Sequence, residues 1–374
     1  MPLLQVLDTE SGIGYPVNSG DVTPLLDGFA FPYPIPEQEI KWNRIQSVLL
    51  KKMMEAHKKD AYIIEIEEKD FDFIETNWKD LPDTFSCMCV VFSCDNNNFS
   101  TYVHNAGGSS AANLLGRFCH ITKELEEFVV EITEHEQKLN PDVIFAEIVH
   151  LPESRIGNIL LRPVLRQYEI PYLAKASVTE EYQILPNDLY ISVKGKQITL
   201  RSKRLDKQIT PRMSTAHNFS FNSMPVYRFL CDMQTQGLRS GIGFNFGNLA
   251  NEYDFLPRIT YKNVILSLAK WKIDVKEFST LHDNKEIESK FSNIRKWRSE
   301  KQIPRYVTLA DGDNELLIDF ESNLSIEMLY SVVKKRNTFQ LQEFLFNANN
   351  LVVKDEMGNG YTNEFIFSFY KDIK

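Results

Sequence analysis

The chain has 374 residues, of which 43% are hydrophobic and 25% charged, so it can bury a sizeable core and is not expected to be disordered. Its formal net charge of -9 argues against a surface coated with basic residues for nucleic acid, while leaving room for a local basic face. The sequence has neither a run of about 18 apolar residues nor a signal peptide at its start, so we predict a cytoplasmic protein without a transmembrane segment.

The amino-terminal part divides into an arm and a helix. Glycine and proline are frequent as far as Pro36, which predicts an irregular N-terminal arm over residues 1–36. Between residues 37 and 59, Ile45, Leu49 and Met53 recur at helical spacing, which predicts an amphipathic helix.

Two apolar runs, AYIIEIEE and TFSCMCVVFSC, then predict strands. Cys87 and Cys89 stand two residues apart in the second run and should project from the same face. A single C-x-C pair is a weak zinc signal, so we predict no metal site. The five cysteines are interpreted as reduced packing thiols; they are Cys87, Cys89, Cys94, Cys119 and Cys231.

The middle of the chain contains three clear patterns. GGSSAANLLGRF predicts a glycine turn that feeds a helix capped by Ser109 or Ser110, and a longer helix is predicted from about residue 121 to 139. VIFAEIVHL has the composition of a buried strand. Residues 188–204 predict a β-hairpin, because two alternating runs flank Lys194-Gly195-Lys196.

Helices and strands alternate without a strict βαβ repeat, so we predict an α+β fold with mixed sheets and packed helices. After the arm of residues 1–36, we divide the chain into an α/β subdomain of residues 37–150 and an α+β subdomain of residues 151–374.

The densest polar segment is HLPESRIGNILLRPVLRQYEIPY, which places Arg155, Arg162, Arg166 and Asn158 after a buried strand. Guanidinium groups suit carboxylates and phosphates, and loops on rigid strands often carry binding groups. The alternative is a structural loop in which the arginines pair locally, for example Arg166 with Glu169.

A second polar segment, ITPRMSTAHNF, contains Arg212, His217 and Asn218. An imidazole titrates near neutrality and can act as a general base, although a histidine beside asparagine is more often a hydrogen-bonded structural residue.

Two further places are candidates for binding. The glycine turn with Ser109, Ser110 and Arg117 could hold an anion at a helix start, but it matches neither a P-loop nor a dinucleotide fingerprint. Asp8 follows an apolar stretch and could orient a substrate amine or an arginine.

Eight collinear segments that span nearly the whole chain resemble the lantibiotic dehydratase family (LanB type). They are PLLQVLDTESGIGY, AGGSSAANLLGRF, FAEIVHLPESRIGNILLRPVLRQYEIPYL, DLYISVKGKQITLRSKRL, PRMSTAHNFS, PVYRFLCDMQ, FLPRITYKNVILSLAKW and PRYVTLADGDNELLIDF. The resemblance implies a domain that transfers glutamate from glutamyl-tRNA to Ser and Thr hydroxyls of a ribosomally made precursor peptide, without another cofactor. A separate domain of the family eliminates the glutamate.

Residue type and membership of these segments predict residue roles in the chemistry that the resemblance implies. The catalytic candidates are Asp8, Arg155, Arg162 and His217. The substrate-binding candidates are Asn158, Arg166, Arg212 and Asn218. The candidates for tRNA or anion binding are Ser109, Ser110 and Arg117.

The matched segments correspond to the later part of the glutamylation domain, so we expect a split or truncated subunit. Its partners would be the precursor peptide, glutamyl-tRNA and a chain that supplies the missing N-terminal part and the elimination domain, and it could form a homo-oligomer. Two other functions stay open: a peptide aminoacyl-tRNA ligase, and a non-catalytic subunit that docks a peptide or a partner.

Overall fold

The fold is described from a computed structural model, which covers residues 1–15, 43–94, 98–151, 157–219, 224–247, 249–283, 286–311 and 314–372. In these ranges the α-helices are α1 Leu3–Leu7, α2 Arg44–Lys58, α3 Lys123–Leu139, α4 Gly157–Leu160, α5 Pro225–Asp232, α6 Leu249–Glu252, α7 Val275–His282, α8 Ile287–Lys301 and α9 Asn323–Val333. Short 3-10 helices cover Glu68–Phe71, Gly116–Phe118, Glu180–Tyr182, Pro186–Asp188 and Met233–Thr235. None of the described helices is both long and apolar enough to cross a bilayer.

The strands of the described ranges are β1 Ile63–Glu65, β2 Thr84–Ser93, β3 Phe99–Gly107, β4 Val143–Val149, β5 Tyr168–Pro171, β6 Leu189–Lys194, β7 Gln197–Ser202, β8 Lys207–Arg212, β9 Gly241–Ile242, β10 Phe255–Leu256, β11 Arg258–Tyr261, β12 Val264–Ser267, β13 Lys270–Asp274, β14 Tyr306–Asp311, β15 Asn314–Asp319, β16 Thr338–Glu343, β17 Val353–Lys354, β18 Gly360–Tyr361 and β19 Phe365–Tyr370.

These strands build three large sheets. Sheet I has the order β1-β11-β12-β3-β2-β19, with β9 paired to β3. Sheet II has the order β5-β4-β8-β7-β6, and sheet III has the order β10-β13-β16-β14-β15. Strands β17 and β18 form a separate ribbon. Sheets I and II contain both parallel and antiparallel pairs, so the predicted α+β fold with mixed sheets is confirmed.

Sheet III has two different faces because its strands alternate apolar and polar side chains. In sheet III, Trp271 of β13 and Leu341 of β16 lie on the face that packs against α7, α8 and α9. The opposite face of the same strands carries Lys270 and Gln342. Sheet III therefore has one apolar face under helices and one polar face.

Several local predictions are confirmed. The Cys-rich run forms β2, and Cys87 and Cys89 do project together, with their sulfur atoms 3.3 Å apart. The hairpin is β6–β7, joined by Gly195 and Lys196, and Gly195 has a φ of +60° that favours glycine.

The prediction of a helix that starts at the glycine turn is wrong. Residues 108–115 form successive turns, and the first α-helix after them is α3, whose N-terminus is capped by Thr122. The amides of Ala111 and Ala112 bond to the hydroxyls of Thr84 and Ser110, so they are not free helix-start donors. The described residues therefore contain no helix start at this turn, and binding of tRNA or another anion by Ser109, Ser110 and Arg117 stays a prediction.

The predicted arm is not irregular throughout. Residues Leu3 and Leu7 of α1 are buried in the core of sheet II, and the backbone of Met1 bonds to that of Ile191. Residues 16–36 lie outside the described ranges.

The predicted boundary at residue 150 does not separate sheets. Strand β4 precedes it, yet its neighbours β5 and β8 follow it. Sheet I likewise joins β2 and β3 to β12 and β19.

Candidate functional site

A cluster of buried charges lies beside sheet II, and we call it the buried charge cluster. It consists of Glu136 on α3, Glu147 on β4, Glu169 on β5, and Arg162 and Arg166 from the segment between α4 and β5. The three carboxylate side chains are 1% exposed. Parallel pairing of β4 with β5 brings Glu147 and Glu169 into direct register, which is why both acids contact Arg162.

The arginines of this cluster are engaged by its acids. Arg162 Nε lies 3.0 Å from Glu147, and its Nη1 lies 3.5 Å from Glu169. Arg166 Nη2 donates to Glu136 over 2.6 Å, and its Nε lies 3.4 Å from Glu147. Because an unpaired buried charge is costly, removal of one partner from these pairs should destabilise the fold.

Glu147 also fixes the loop that follows β8. Its two carboxylate oxygens accept from the backbone N–H of Ser214 at 2.6 Å and from the Ser214 hydroxyl at 2.8 Å. The buried charge cluster therefore holds in place the residues that come next in the chain, Thr215 and His217.

Those residues line a cavity of about 320 Å³, which we call the polar pocket. Its walls come from the end of β3, the turns after it, the loop after β8, and the residues just after α5. The lining includes Asn105, Ser109, Ser110, Asn113, Thr215, His217, Gln234 and Ser240. Neutral hydrogen-bonding groups thus dominate the pocket, and His217 is the titratable side chain in its described lining.

Gln234 ties the two halves of the polar pocket together. Its side-chain oxygen accepts from the Ser109 hydroxyl at 3.0 Å and from the Met213 amide at 2.9 Å. The Asn113 amide nitrogen in turn donates to Ser109 at 3.2 Å. These bonds fix the orientation of the pocket wall before any ligand binds.

Two buried polar atoms of the polar pocket have no hydrogen-bond partner in the described structure, namely Asn113 Oδ1 and Thr215 Oγ1. An unpartnered buried polar atom costs about 1–3 kcal/mol, and such atoms call for a specific explanation. Both residues line the pocket, so these two atoms are candidates for hydrogen bonds to a ligand.

His217 is held by the core beneath it. Its Nδ1 lies 2.9 Å from the Tyr227 hydroxyl, and Tyr227 on α5 is almost fully buried. The ring of His150 packs against Tyr227 with centroids 4.5 Å apart. Burial raises the pKa of Tyr227, so this phenol stays protonated and can hydrogen-bond to the imidazole.

Two glycines allow the elements around the polar pocket to approach. A Cβ on Gly116 would lie 1.9 Å from the backbone oxygen of Ser214. Gly107 has a φ of +139°, and a Cβ there would lie 2.1 Å from the Ser240 oxygen. No larger residue fits at either position without moving backbone.

The structure brings some predicted site residues together and separates others. Ser109, Ser110 and His217 line the polar pocket, and Arg162 and Arg166 lie in the buried charge cluster behind it.

Arg212 ends β8 next to the same cluster, stacks on Phe145, and donates to the Gln234 backbone at 3.3 Å. Its burial lowers the pKa of its guanidinium to about 10.

The remaining candidates lie elsewhere. Asp8 is exposed and accepts from Glu10 and Ser11 in a turn after α1, contacts that lower the pKa of its carboxyl. Arg117 stacks on Phe118. Asn158 and Asn218 are exposed, and Arg155 lies outside the described residues.

Sequence reasoning did not single out Glu136, Glu147, Asn113 or Gln234. Glu147 offered one signal, since an acid inside the apolar strand VIFAEIVHL requires a buried partner. Gln234 and Asn113 offered none, because their roles depend on contacts between distant elements. Among the described residues, no group of three or more His, Cys, Asp or Glu side chains could hold a metal ion.

Comparison with known proteins identifies the family. The model "Lantibiotic dehydratase, N terminus" matches residues 1–329. The subtilin biosynthesis protein SpaB of Bacillus subtilis is 22% identical over 98% of this chain and 35% of its own length. The nisin biosynthesis protein NisB of Lactococcus lactis subsp. lactis is 27% identical over 68% of this chain and 24% of its own length.

Solved structures share the fold. The tRNA dependent lantibiotic dehydratase MibB from Microbispora sp. 107891 matches with a TM-score of 0.72 and 18% identity, over 92% of this chain and 33% of that protein. The glutamylation domain TbtB from thiomuracin biosynthesis, bound to 5'-phosphodesmethylglutamycin, matches with a TM-score of 0.58 and 15% identity, over 91% of this chain and 41% of that one. The chain thus spans between 24% and 41% of these longer proteins. By the family match over residues 1–329, it belongs to the lantibiotic dehydratase family.

Proposed function

We propose that this chain takes part in glutamyl-tRNA-dependent glutamylation of Ser or Thr side chains in a ribosomally made precursor peptide. The family match over residues 1–329 is the observation that carries the proposal. The likeness of fold to MibB and to the TbtB glutamylation domain supports it.

The polar pocket is the proposed site of the acceptor hydroxyl. In the reaction, the Ser or Thr oxygen attacks the ester carbonyl of glutamyl-tRNA, a new ester forms, and the bond to the tRNA ribose oxygen breaks. The hydroxyl proton passes to His217 and then to the departing ribose oxygen. Asn113 and Thr215 offer hydrogen bonds to the reacting groups, and their fixed positions favour catalysis by preorganisation.

The buried charge cluster has a positioning part in this proposal. Arg162 and Arg166 hold Glu147, and Glu147 holds the loop that carries Thr215 and His217. Their effect on the reaction is thus transmitted through that loop, in contrast to the direct catalytic and substrate-binding roles that the family resemblance implied.

The test is a reaction of the purified chain, alone and together with a candidate partner subunit, with glutamyl-tRNA and a precursor peptide that contains Ser and Thr, followed by mass spectrometry of the peptide. We expect a mass increase of one glutamyl residue, located by fragmentation on a Ser or Thr side chain. Replacing His217 with Gln should slow the reaction by roughly a hundredfold or more, the usual contribution of a general base. Replacing the exposed His120 with Gln is the matched control and should change nothing.

Other outcomes would reject the proposal. An amino acid added at the C-terminus of the peptide would identify a peptide aminoacyl-tRNA ligase. A peptide that binds the chain but stays unmodified both with and without the partner subunit would identify a docking subunit.

A further inference from the structure

Strands β6 and β7, the turn after them and the first residue of β8 form a basic segment in an otherwise acidic protein. We call this segment, residues 189–207, the basic hairpin. It holds six Lys and Arg side chains and a single carboxylate, that of Asp206. The whole chain, by contrast, has 42 Lys and Arg against 51 Asp and Glu. Positive charge is therefore concentrated locally, as in surfaces that bind a phosphate backbone.

Four of these six cations are exposed lysines, namely Lys194, Lys196, Lys203 and Lys207. Within the described ranges, no carboxylate forms an ion pair with any of the four. The two arginines are already engaged. Arg201 pairs with Asp206 at 2.6 Å. Arg204 donates to the backbone oxygens of Glu181 and Gln183. Lysines without a carboxylate partner keep solution counterions, which a phosphate backbone displaces when it binds.

Protection of a sheet edge accounts for one of the four lysines. Strand β6 is an edge of sheet II, and a lysine on an edge strand discourages pairing with another chain. Lys194 ends that strand. However, Lys196 and Lys203 lie in turns, and Lys207 begins β8, which has a strand on each side. Edge protection thus leaves three of the lysines unexplained.

The tip of the basic hairpin lies at the same end of sheet II as the polar pocket. Strand β8 runs antiparallel to β7, so β8 ends at the level where β7 begins, beside the tip. The loop that starts there carries Thr215 and His217, which line the pocket. The tip itself is a tight turn through Gly195, which keeps Lys194 and Lys196 close together.

A direct contact joins the basic hairpin to the wall of the polar pocket. Gln236 follows Gln234 and Thr235, which both line the pocket. The side chain of Gln236 bonds to both the N–H and the C=O of Ile198 in β7, each at 2.7 Å. Lys196 stands two residues before Ile198, which is about 7 Å along a strand. The tip is thus one hydrogen-bonded contact away from the pocket wall.

We propose that the basic hairpin binds the phosphate backbone of the acceptor arm of glutamyl-tRNA, with Lys194 and Lys196 at the end nearest the polar pocket. The aminoacyl ester lies at the 3′ end of that arm, and the arm is far larger than the pocket. An arm with its ester in the pocket must therefore lie against the surrounding surface. The net charge of -9 on the whole chain repels the same backbone elsewhere and favours approach to this segment. The inference rests on the proposed function for the identity of the RNA, whereas the basic hairpin is defined by its own charges.

The test measures binding of uncharged glutamate tRNA, and of its isolated acceptor arm, to the full chain over a range of salt concentrations. Each lysine that contacts a phosphate adds about 0.7–0.9 to the slope of log K against log salt. Lys194→Gln/Lys196→Gln should therefore lower the slope by roughly 1.5 and weaken binding of both RNAs roughly twenty- to sixtyfold at about 0.1 M salt, with an unchanged melting temperature. Lys194→Arg/Lys196→Arg keeps both charges and should bind like the wild type. The matched control is Lys58→Gln/Lys59→Gln, which removes two exposed lysines at the end of α2, beside sheet I, and should change neither quantity.

Several results would overturn the proposal. They are an unchanged slope in the Gln variant of the hairpin, an equal loss in the control, and no tRNA binding by the wild type with or without the partner subunit. A loss with whole tRNA that the isolated acceptor arm does not share would also overturn it. If the Gln variant keeps tRNA binding but loses the precursor peptide, the hairpin is a peptide site and the RNA proposal is rejected.

Failure of this inference and failure of the proposed function give different results. Binding of tRNA that depends on the hairpin, in a chain that glutamylates no peptide with or without the partner subunit, would reject the proposed function alone. Glutamylation by the Gln variant with the KM for glutamyl-tRNA of the wild type would reject the role of the hairpin alone.

Discussion

Replacement of Glu147 with Gln tests whether the buried charge cluster holds the polar pocket in shape. Glu147 is 1% exposed and contacts two guanidinium groups and both the amide and hydroxyl of Ser214. Removing one partner of a buried ion pair costs about 3–5 kcal/mol. A glutamine keeps one carbonyl oxygen for Ser214, so we expect a loss in the free energy of unfolding of about 3 kcal/mol, near the lower end of that range.

Urea denaturation of the two proteins measures this loss, and hydrogen exchange measured by mass spectrometry locates it. The segment 213–217 should exchange faster in the Glu147→Gln protein, because its Ser214 amide loses the carboxylate that it bonds. Glu134→Gln on α3 is the matched control: its ion pair with Lys138 is exposed, and its loss should cost less than about 0.5 kcal/mol. A loss below about 1 kcal/mol with unchanged exchange at 213–217 would refute the positioning role of the cluster.

Two more substitutions follow from the same geometry. Thr215→Val should leave the free energy of unfolding unchanged or raise it by about 1 kcal/mol, because it removes an unpartnered buried hydroxyl. The proposed glutamylation should become slower. A clear loss of stability in a urea titration would show that this hydroxyl is bonded inside the fold. His150 has its pKa lowered by burial, so the unfolded chain binds more protons than the folded one, and stability is lost as the pH falls below the unfolded value of about 6.5. The melting temperature of His150→Gln should therefore drop less than that of the wild type between about pH 7.5 and 5.5, and parallel pH profiles would contradict this.

The sequence predicted the elements whose signals are local. Alternation around Lys194-Gly195-Lys196 gave the hairpin, and the apolar run around Cys87 gave β2. The prediction of a helix after the glycine turn was wrong because the same small residues that favour a helix start also favour turns. Contacts with Thr84, which lies more than twenty residues earlier, decide between the two outcomes.

The partners of Arg162 and Arg166 could not be predicted from the sequence for the same reason. Sequence reasoning weighed a functional loop against local pairing of Arg166 with Glu169. In the structure Arg166 contacts Glu136 and Glu147, and Glu169 lies nearer to Arg162. The structural alternative was correct in kind, but its partners come from α3 and β4, and residue spacing contains no information on which distant strands pair.

The buried charge cluster lies behind the polar pocket and not at the surface, and this limits how a tRNA could bind. Release of counterions requires cations that phosphates can reach, whereas the side chains of Arg162 and Arg166 are 9% and 3% exposed and face carboxylates. Their charges therefore act inside the protein, where they fix Glu147 and through it the loop with Thr215 and His217. Under the proposed function, the electrostatic attraction of a tRNA comes from exposed cations, and the polar pocket recognises its ligand through neutral, fixed hydrogen-bonding groups. Such a division suits an acyl transfer, because the reacting ester is uncharged until the transition state, when prepositioned dipoles stabilise the developing charge.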